Sequence, residues 1–195
     1  MRVIGVTGPS GSGKSAVSQI LLEKGAVNID ADKIAHEIIL KGTEAYYELT
    51  TYFGGEIIGD DGEIVRRRLG KIVFADENKL RFLNDVTHKY IFDEMKRQIS
   101  MAETKGALMA IIDAPLLIEG RFITLAKEIW AVHADEQVRI KRIMQRDKIS
   151  MEEAKNRLAN QKPWEVYAAF ATKIIENSTN LEDLAAEVEK ALKDD

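Results

Sequence analysis

Residues Gly8-Pro9-Ser10-Gly11-Ser12-Gly13-Lys14-Ser15 set glycines, a lysine and a hydroxyl in the order G-x-x-x-x-G-K-[ST]. Each residue type has a use in that order. Glycines let the backbone curl until successive N–H groups point inward at an anion, and a helix starting at the lysine adds its positive N-terminal end. Lys14 is long enough to reach the β and γ phosphates of a nucleotide, and the Ser15 hydroxyl suits a hard cation such as Mg²⁺. The stretch is read as a triphosphate cradle.

Kinases, GTPase switches and mechanical ATPases all hold a triphosphate this way, so other residues must separate them. The base-reading sequence Asn-Lys-x-Asp is missing: Asn78-Lys79 runs into Leu80-Arg81. That argues against a GTPase. Asp30-Ala31-Asp32 closes an apolar run, and in open parallel sheets ligands gather at the carboxyl ends of strands. A carboxylate there could accept the proton of an alcohol receiving a phosphoryl group. It could instead cap the helix beginning near Lys33. Asp32 is read as functional, and Asp30 as either a cap or part of a Mg²⁺ shell.

The elements that must carry these groups follow from the apolar pattern. Val3 to Thr7, Ala26 to Ile29, Leu108 to Ile112, Glu128 to Val132 and Lys173 to Ile175 read as strands separated by helical periodicity, which predicts a parallel sheet covered on both faces. Leu80, Leu83, Val86, Tyr90, Ile91, Met95 and Ile99 keep a helical period inside a long stretch, residues 43–105, read as a helical insertion. A second helical stretch from Asp135 is interrupted near Asp147 to Ser150, where Ser150 and Glu153 have capping-box spacing, and again at Pro163. Residues 135–162 could move as a lid. The final helix presents Leu181, Leu184, Val188 and Leu192 on one face.

With 195 residues, the chain has room for one domain with decoration. Its net charge of −4 makes nucleic acid a poor default partner. No cysteine is present, which removes disulfides and thiolate metal sites, and the N-terminal residues lack a signal-peptide pattern. The apolar runs are far shorter than the roughly 20 residues that span a bilayer. Cytoplasmic residence without membrane insertion is the expectation; oligomeric state is left open.

"VTGPSGSGKS", "VNIDADKIAHEI", "GEIVRRRLGKIVFADE", "FLNDVTHKYI", "IDAPLLIEG" and "IKRIMQRDKISMEEAKNRLANQ" resemble, in that order and spacing, the successive motifs of the dephospho-CoA kinase family. The resemblance covers nearly the whole chain. It implies an α/β, three-layer P-loop kinase fold with a parallel five-stranded sheet, residues 1–195 forming a single unit in which the insertion binds the acceptor and residues 135–162 close as the lid. It also implies transfer of the ATP γ-phosphate to the ribose 3′-hydroxyl of dephospho-CoA, with Mg²⁺ as cofactor. Carried over by residue, Gly11, Ser12, Gly13, Lys14, Ser15 and Ala16 hold ATP, and Asn177 lies near the adenine. Asp32 acts as base for the hydroxyl. Arg66 and His88 face the acceptor, with Pro115 and Leu116 shaping the pocket wall, and Asp113 with Ser15 attends the metal. Arg142 and Arg146, four apart on one helix face, act with Lys14 on the transferred charge.

Blander readings stand beside several of these. Arg66, Arg67 and Arg68 make a charge run of the kind that faces solvent, His88 could be an ordinary helix histidine, and Arg139, Lys141, Arg142 and Arg146 could be an exposed basic face. The chain departs from the family at Pro9-Ser10, at Lys89 after His88 and at Thr172-Lys173. Another small-metabolite or nucleoside kinase on the same fold, or a non-catalytic nucleotide sensor, are the rival functions.

Overall fold

The computed structural model describes residues 1–114, 117–118 and 120–194. Pro115 and Leu116, expected at the pocket wall, lie outside the described residues. Five strands form one sheet in the order β2-β3-β1-β4-β5: β1 (Arg2–Thr7), β2 (Val27–Asp30), β3 (Met109–Asp113), β4 (Glu128–His133) and β5 (Lys173–Glu176). β1 runs parallel to both β3 and β4, and β4 parallel to β5. Strands covered on both faces are apolar throughout, which is why Val3 to Val6 reads as an unbroken run. Gly5 is closely packed within β1: a Cβ there would meet Leu117 Cδ2 at 2.6 Å, so a side chain would have to displace Leu117.

Nine α-helices are assigned among the described residues, α1 (Lys14–Glu23), α2 (Ala31–Glu37), α3 (Glu44–Phe53), α4 (Arg66–Val73), α5 (Glu77–Thr104), α6 (Glu136–Asp147), α7 (Met151–Ala159), α8 (Trp164–Phe170) and α9 (Leu181–Lys193). Their ends follow local chemistry. α1 stops where Gly25, at φ +89°, turns the chain so that its N–H reaches Leu22 O and the next N–H reaches Leu21 O. Ser150 and Glu153 form the capping box expected of them, and Pro163 precedes α8.

The chain divides into two compact units, one of Met1–Ile29 with Ile99–Asp195 and one of Asp30–Gln98. The first holds the sheet. Its core joins Ile4, Val6, Ile111, Trp130, Val132 and Ile175 from the strands to Val17 and Leu21 of α1 and to Leu184 and Val188 of α9. Ala191 completes the buried face of α9, whereas Leu181, at the start of the helix, overhangs it and is 69% exposed. α6 and α7 pack on each other through a separate small core of Ile140, Ile143 and Ala154.

The second unit buries Ile34, Leu49, Phe53, Leu69, Val73, Val86 and Met95. It starts at Asp30 rather than at residue 43, because Ala35 of α2 and Ile39 just beyond that helix face the same cavity as α4 and α5. Thr43 caps α3, accepting from Tyr46 N at 3.2 Å, and the Tyr46 hydroxyl donates to Gly62 O at 2.6 Å to hold the Asp60 to Gly62 turn. No helix among the described residues is long and apolar enough to cross a membrane.

Candidate active site

The glycine loop leaves β1 and enters α1, in the strand–loop–helix order its spacing requires. Three of its glycines have left-handed φ values: Gly8 at +141°, Gly11 at +79° and Gly13 at +98°. At all three a side chain is also excluded by contact, at Gly11 by Arg139 O at 2.8 Å. A Cβ on Gly8 would lie 2.5 Å from Val132 O, and one on Gly13 would lie 2.0 Å from Asn177 Nδ2. Ser12 is fully buried, and its Oγ has no hydrogen-bond partner among the described residues.

Lys14 folds back over this loop and donates from Nζ to Gly8 O at 2.9 Å and to Pro9 O at 3.3 Å. Burial pushes its ammonium pKa down. The Asp113 carboxylate pulls it back up, while Arg146 and Arg139 push it down further. Lys14 thus shares a partly desolvated region with the Asp113 carboxylate and with Arg139, and Arg146 stands nearby, more exposed and paired with Asp147. Such a region favours a polyanion, whose charge would offset both the repulsion and the burial. Asp113 reaches it because β3 lies beside β1 in parallel register, with Asp113 opposite Val6 at the strand ends.

α6 supplies the arginines. Arg142 donates from Nη1 to Asn177 O at 3.0 Å and to Gly11 O and Ser12 O at 3.3 Å, and from Nη2 to Asn177 Oδ1 at 3.3 Å. Arg146 instead pairs with Asp147, Nε to Oδ1 at 2.7 Å, and its side chain is 58% exposed. The two expected lid arginines therefore differ: one is built into the loop's scaffold, and the other is held by a neighbouring carboxylate near Lys14.

Asn177 is 4% exposed and follows β5. Its N–H donates to His133 O at 2.9 Å and its side-chain Nδ2 to Ser12 O at 2.7 Å, so it fastens the loop to the end of the sheet. Two further loop contacts went unread in the sequence. Gln161 Oε1 accepts from Ser10 N at 2.8 Å, and Arg139 Nε donates to Ser10 O at 3.1 Å. Arg139 was visible as one more cation on the row of Arg142 and Arg146. Gln161 gave no signal, since a glutamine after a helix end is ordinary.

In the second unit the two aspartates separate. Asp30 is the cap of α2, its Oδ1 accepting from Lys33 N at 2.9 Å. Asp32 stands exposed in the first turn and is not the cap. Arg66, the first residue of α4, and His88 of α5 line one cavity of about 490 Å³. Its remaining wall is largely apolar, with Ile39, Leu69, Val73, Phe74 and Leu83 prominent. The charge run Arg66 to Arg68 is thus divided: Arg66 faces the cavity, and Arg68 donates to Ile58 O at 2.5 Å.

A sequence profile described as dephospho-CoA kinase matches residues 2–183. The chain belongs to the dephospho-CoA kinase family. Among its relatives, the dephospho-CoA kinase of Carboxydothermus hydrogenoformans is 39% identical over 186 residues, 95% of this chain and 90% of that one. The dephospho-CoA kinase of Geobacter sulfurreducens is 39% identical over 190 residues, 97% of this chain and 96% of that one. Among solved structures, dephospho-CoA kinase from Campylobacter jejuni superposes with a TM-score of 0.73 at 29% identity, covering 99% of this chain and 96% of that chain. Shikimate kinase from Acinetobacter baumannii, at 17% identity and a TM-score of 0.52, covering 98% of this chain and 93% of that chain, shares the P-loop kinase fold. The family member described here has the five-stranded parallel sheet and phosphate loop of that fold.

Proposed function

We propose that this chain transfers the γ-phosphate of ATP to the ribose 3′-hydroxyl of dephospho-CoA, giving CoA and ADP. In a chain of this family, the observation that carries the reading is the glycine loop between β1 and α1 with the part-buried Lys14 ammonium folded over it, donating to Gly8 O and Pro9 O, and with Arg139 and Arg146 nearby. Phosphoryl transfer depends on positioning and on charge stabilisation more than on covalent chemistry by the protein. The loop N–H groups cradle the phosphates. Lys14 exchanges its two carbonyl partners for phosphate oxygens, and Arg146 leaves its exposed pair with Asp147 for the transferred group. Arg142, Asn177 and Gln161 hold the loop in shape while that occurs.

Asp32 accepts the proton of the acceptor hydroxyl, the role its exposed carboxylate is free to play once Asp30 serves as the cap. The cavity of Arg66 and His88 takes the acceptor. A cationic guanidinium beside apolar walls suits a molecule that joins a diphosphate to a long uncharged arm. Among the described residues no group of three carboxylate or imidazole side chains could hold a metal, so Mg²⁺ would be held by phosphate oxygens and water together with Ser15 Oγ and Asp113, both hard oxygen donors. When bound, that ion neutralises charge on the β and γ oxygens.

The test is ADP release measured with dephospho-CoA against a panel of nucleosides, shikimate and other alcohols, in wild type and Asp32→Asn. Dephospho-CoA-dependent release is expected, slowed by roughly 100-fold or more in Asp32→Asn with both KM values retained. Stimulation by another alcohol but not by dephospho-CoA would move the protein to a different kinase specificity.

A further inference from the structure

His36 lies one helical turn after Asp32 on α2, and both of its ring nitrogens are engaged. Nδ1 is 2.7 Å from the backbone carbonyl oxygen of Asp32, and Nε2 meets Nη1 of Arg66. The partners dictate the tautomer. A carbonyl oxygen only accepts and a guanidinium only donates, so Nδ1 carries the hydrogen and Nε2 presents its lone pair. One neutral imidazole satisfies both contacts at once, and no other tautomer does.

The arrangement has a mechanical consequence. Arg66 is exposed, begins a helix, and has a long side chain with many rotamers. Left alone it would be ordered only when a ligand arrived, which weakens binding. His36 holds one nitrogen of the guanidinium, on a ring that is itself braced by the first turn of α2. The remaining N–H groups stay available at the cavity that Arg66 shares with His88.

We propose that His36 is a positioning residue for the acceptor, presetting Arg66 so that its guanidinium meets the anionic part of the substrate without first having to be ordered. This rests on the reading that Arg66 and its cavity receive dephospho-CoA. Asp32 and Arg66 thereby become parts of one connected assembly, through the Asp32 carbonyl, the His36 ring and the Arg66 guanidinium. The spacing of Asp32 and His36, four residues on one helix, makes the first contact local; the second joins residues 30 positions apart.

The experiment compares wild type, His36→Ala, His36→Gln, Arg66→Ala and the double variant His36→Ala/Arg66→Ala in steady-state assays varying dephospho-CoA and ATP separately. His36→Ala is expected to raise the KM for dephospho-CoA by about 3- to 10-fold, the scale of losing one preordered long side chain. The KM for ATP should stay unchanged. The double variant should be no worse than Arg66→Ala alone, because His36 acts only through Arg66. His36→Gln should recover most of the loss, since its amide oxygen can stand near where Nε2 does. Nitrogen NMR provides a readout that needs no turnover: His36 should show a protonated Nδ1 and a bare Nε2 whose resonance moves in Arg66→Ala. An unchanged dephospho-CoA KM in His36→Ala, or additive losses in the double variant, would overturn the inference. An unchanged KM in Arg66→Ala with normal wild-type turnover would overturn it too while leaving the kinase reading intact; absence of dephospho-CoA turnover in wild type would remove that reading and this one together.

Discussion

Replacing Gly13 by alanine tests the architecture of the phosphate loop at its tightest point. Gly13 sits at φ +98°, where an L residue is strained by about 1–2 kcal/mol. The added Cβ would stand 2.0 Å from Asn177 Nδ2, inside any permissible contact, so the amide must leave. Its departure breaks the 2.7 Å bond to Ser12 O in a buried setting, a loss of about 1–3 kcal/mol. Together the two effects amount to about 2–5 kcal/mol. For a chain of this length each kcal/mol moves the melting point by about 2–4 °C, so Gly13→Ala should melt roughly 4–20 °C below wild type. Circular dichroism on heating gives the shift. The same substitution in an Asn177→Ala background meets no amide, and there only the strain of about 1–2 kcal/mol should remain. Equal losses in the two backgrounds, or a Gly13→Ala variant melting within about 2 °C of wild type, would show that Asn177 does not enforce the glycine.

Other outcomes follow from the cation cluster. Burial and its cationic neighbours lower the Lys14 pKa in the fold, so in the free protein its charge opposes folding below that lowered value, and the opposition fades as pH rises toward 10.5. Lys14→Met without nucleotide should therefore melt no lower than wild type near neutrality, wild type should gain on it at alkaline pH, and nucleotide binding should fall sharply; a variant less stable by the same margin at every pH would contradict the cluster. Arg142→Ala and Arg146→Ala should part company in melting and kinetic measurements. Loss of Arg142, with its bond to Asn177 O, should cost about 1.5–3 kcal/mol and lower the melting point by several degrees. Arg146→Ala should leave melting nearly unchanged and lower kcat more than ATP affinity.

Much of the phosphate site was legible because its chemistry is local. Glycines at positive φ, a lysine at the start of a helix and a capping box at Ser150 depend on residues within a few positions of one another, and their spacing survives in the linear order. The central strands were legible for a related reason: β1, β3 and β4 are buried on both faces and so are mostly apolar, whichever strands lie beside them, whereas β2 and β5 are partly exposed and read only from short apolar runs. The insertion was recognisable as helical from its period, though not that α2 joins the same compact unit.

Partners distant along the chain were decided by folding alone. Asn177 was read as a residue near the adenine; what the sequence did not indicate is that its side chain is bonded to Ser12, 165 positions away, and excludes a Cβ from Gly13. Gln161 reaches Ser10 across 151 positions, and the α6 arginines split into one that fastens the loop and one held by Asp147. Asp30 and Asp32, equally suited to cap a helix by type, were told apart only by which carboxylate met Lys33 N. Residue types record backbone preference and burial period, which act over one or two turns. A polar side chain offers the same donors and acceptors wherever it sits, so its partner is settled only when packing of the apolar faces fixes the strand order β2-β3-β1-β4-β5 and brings the loop, β5 and α6 to one end of the sheet.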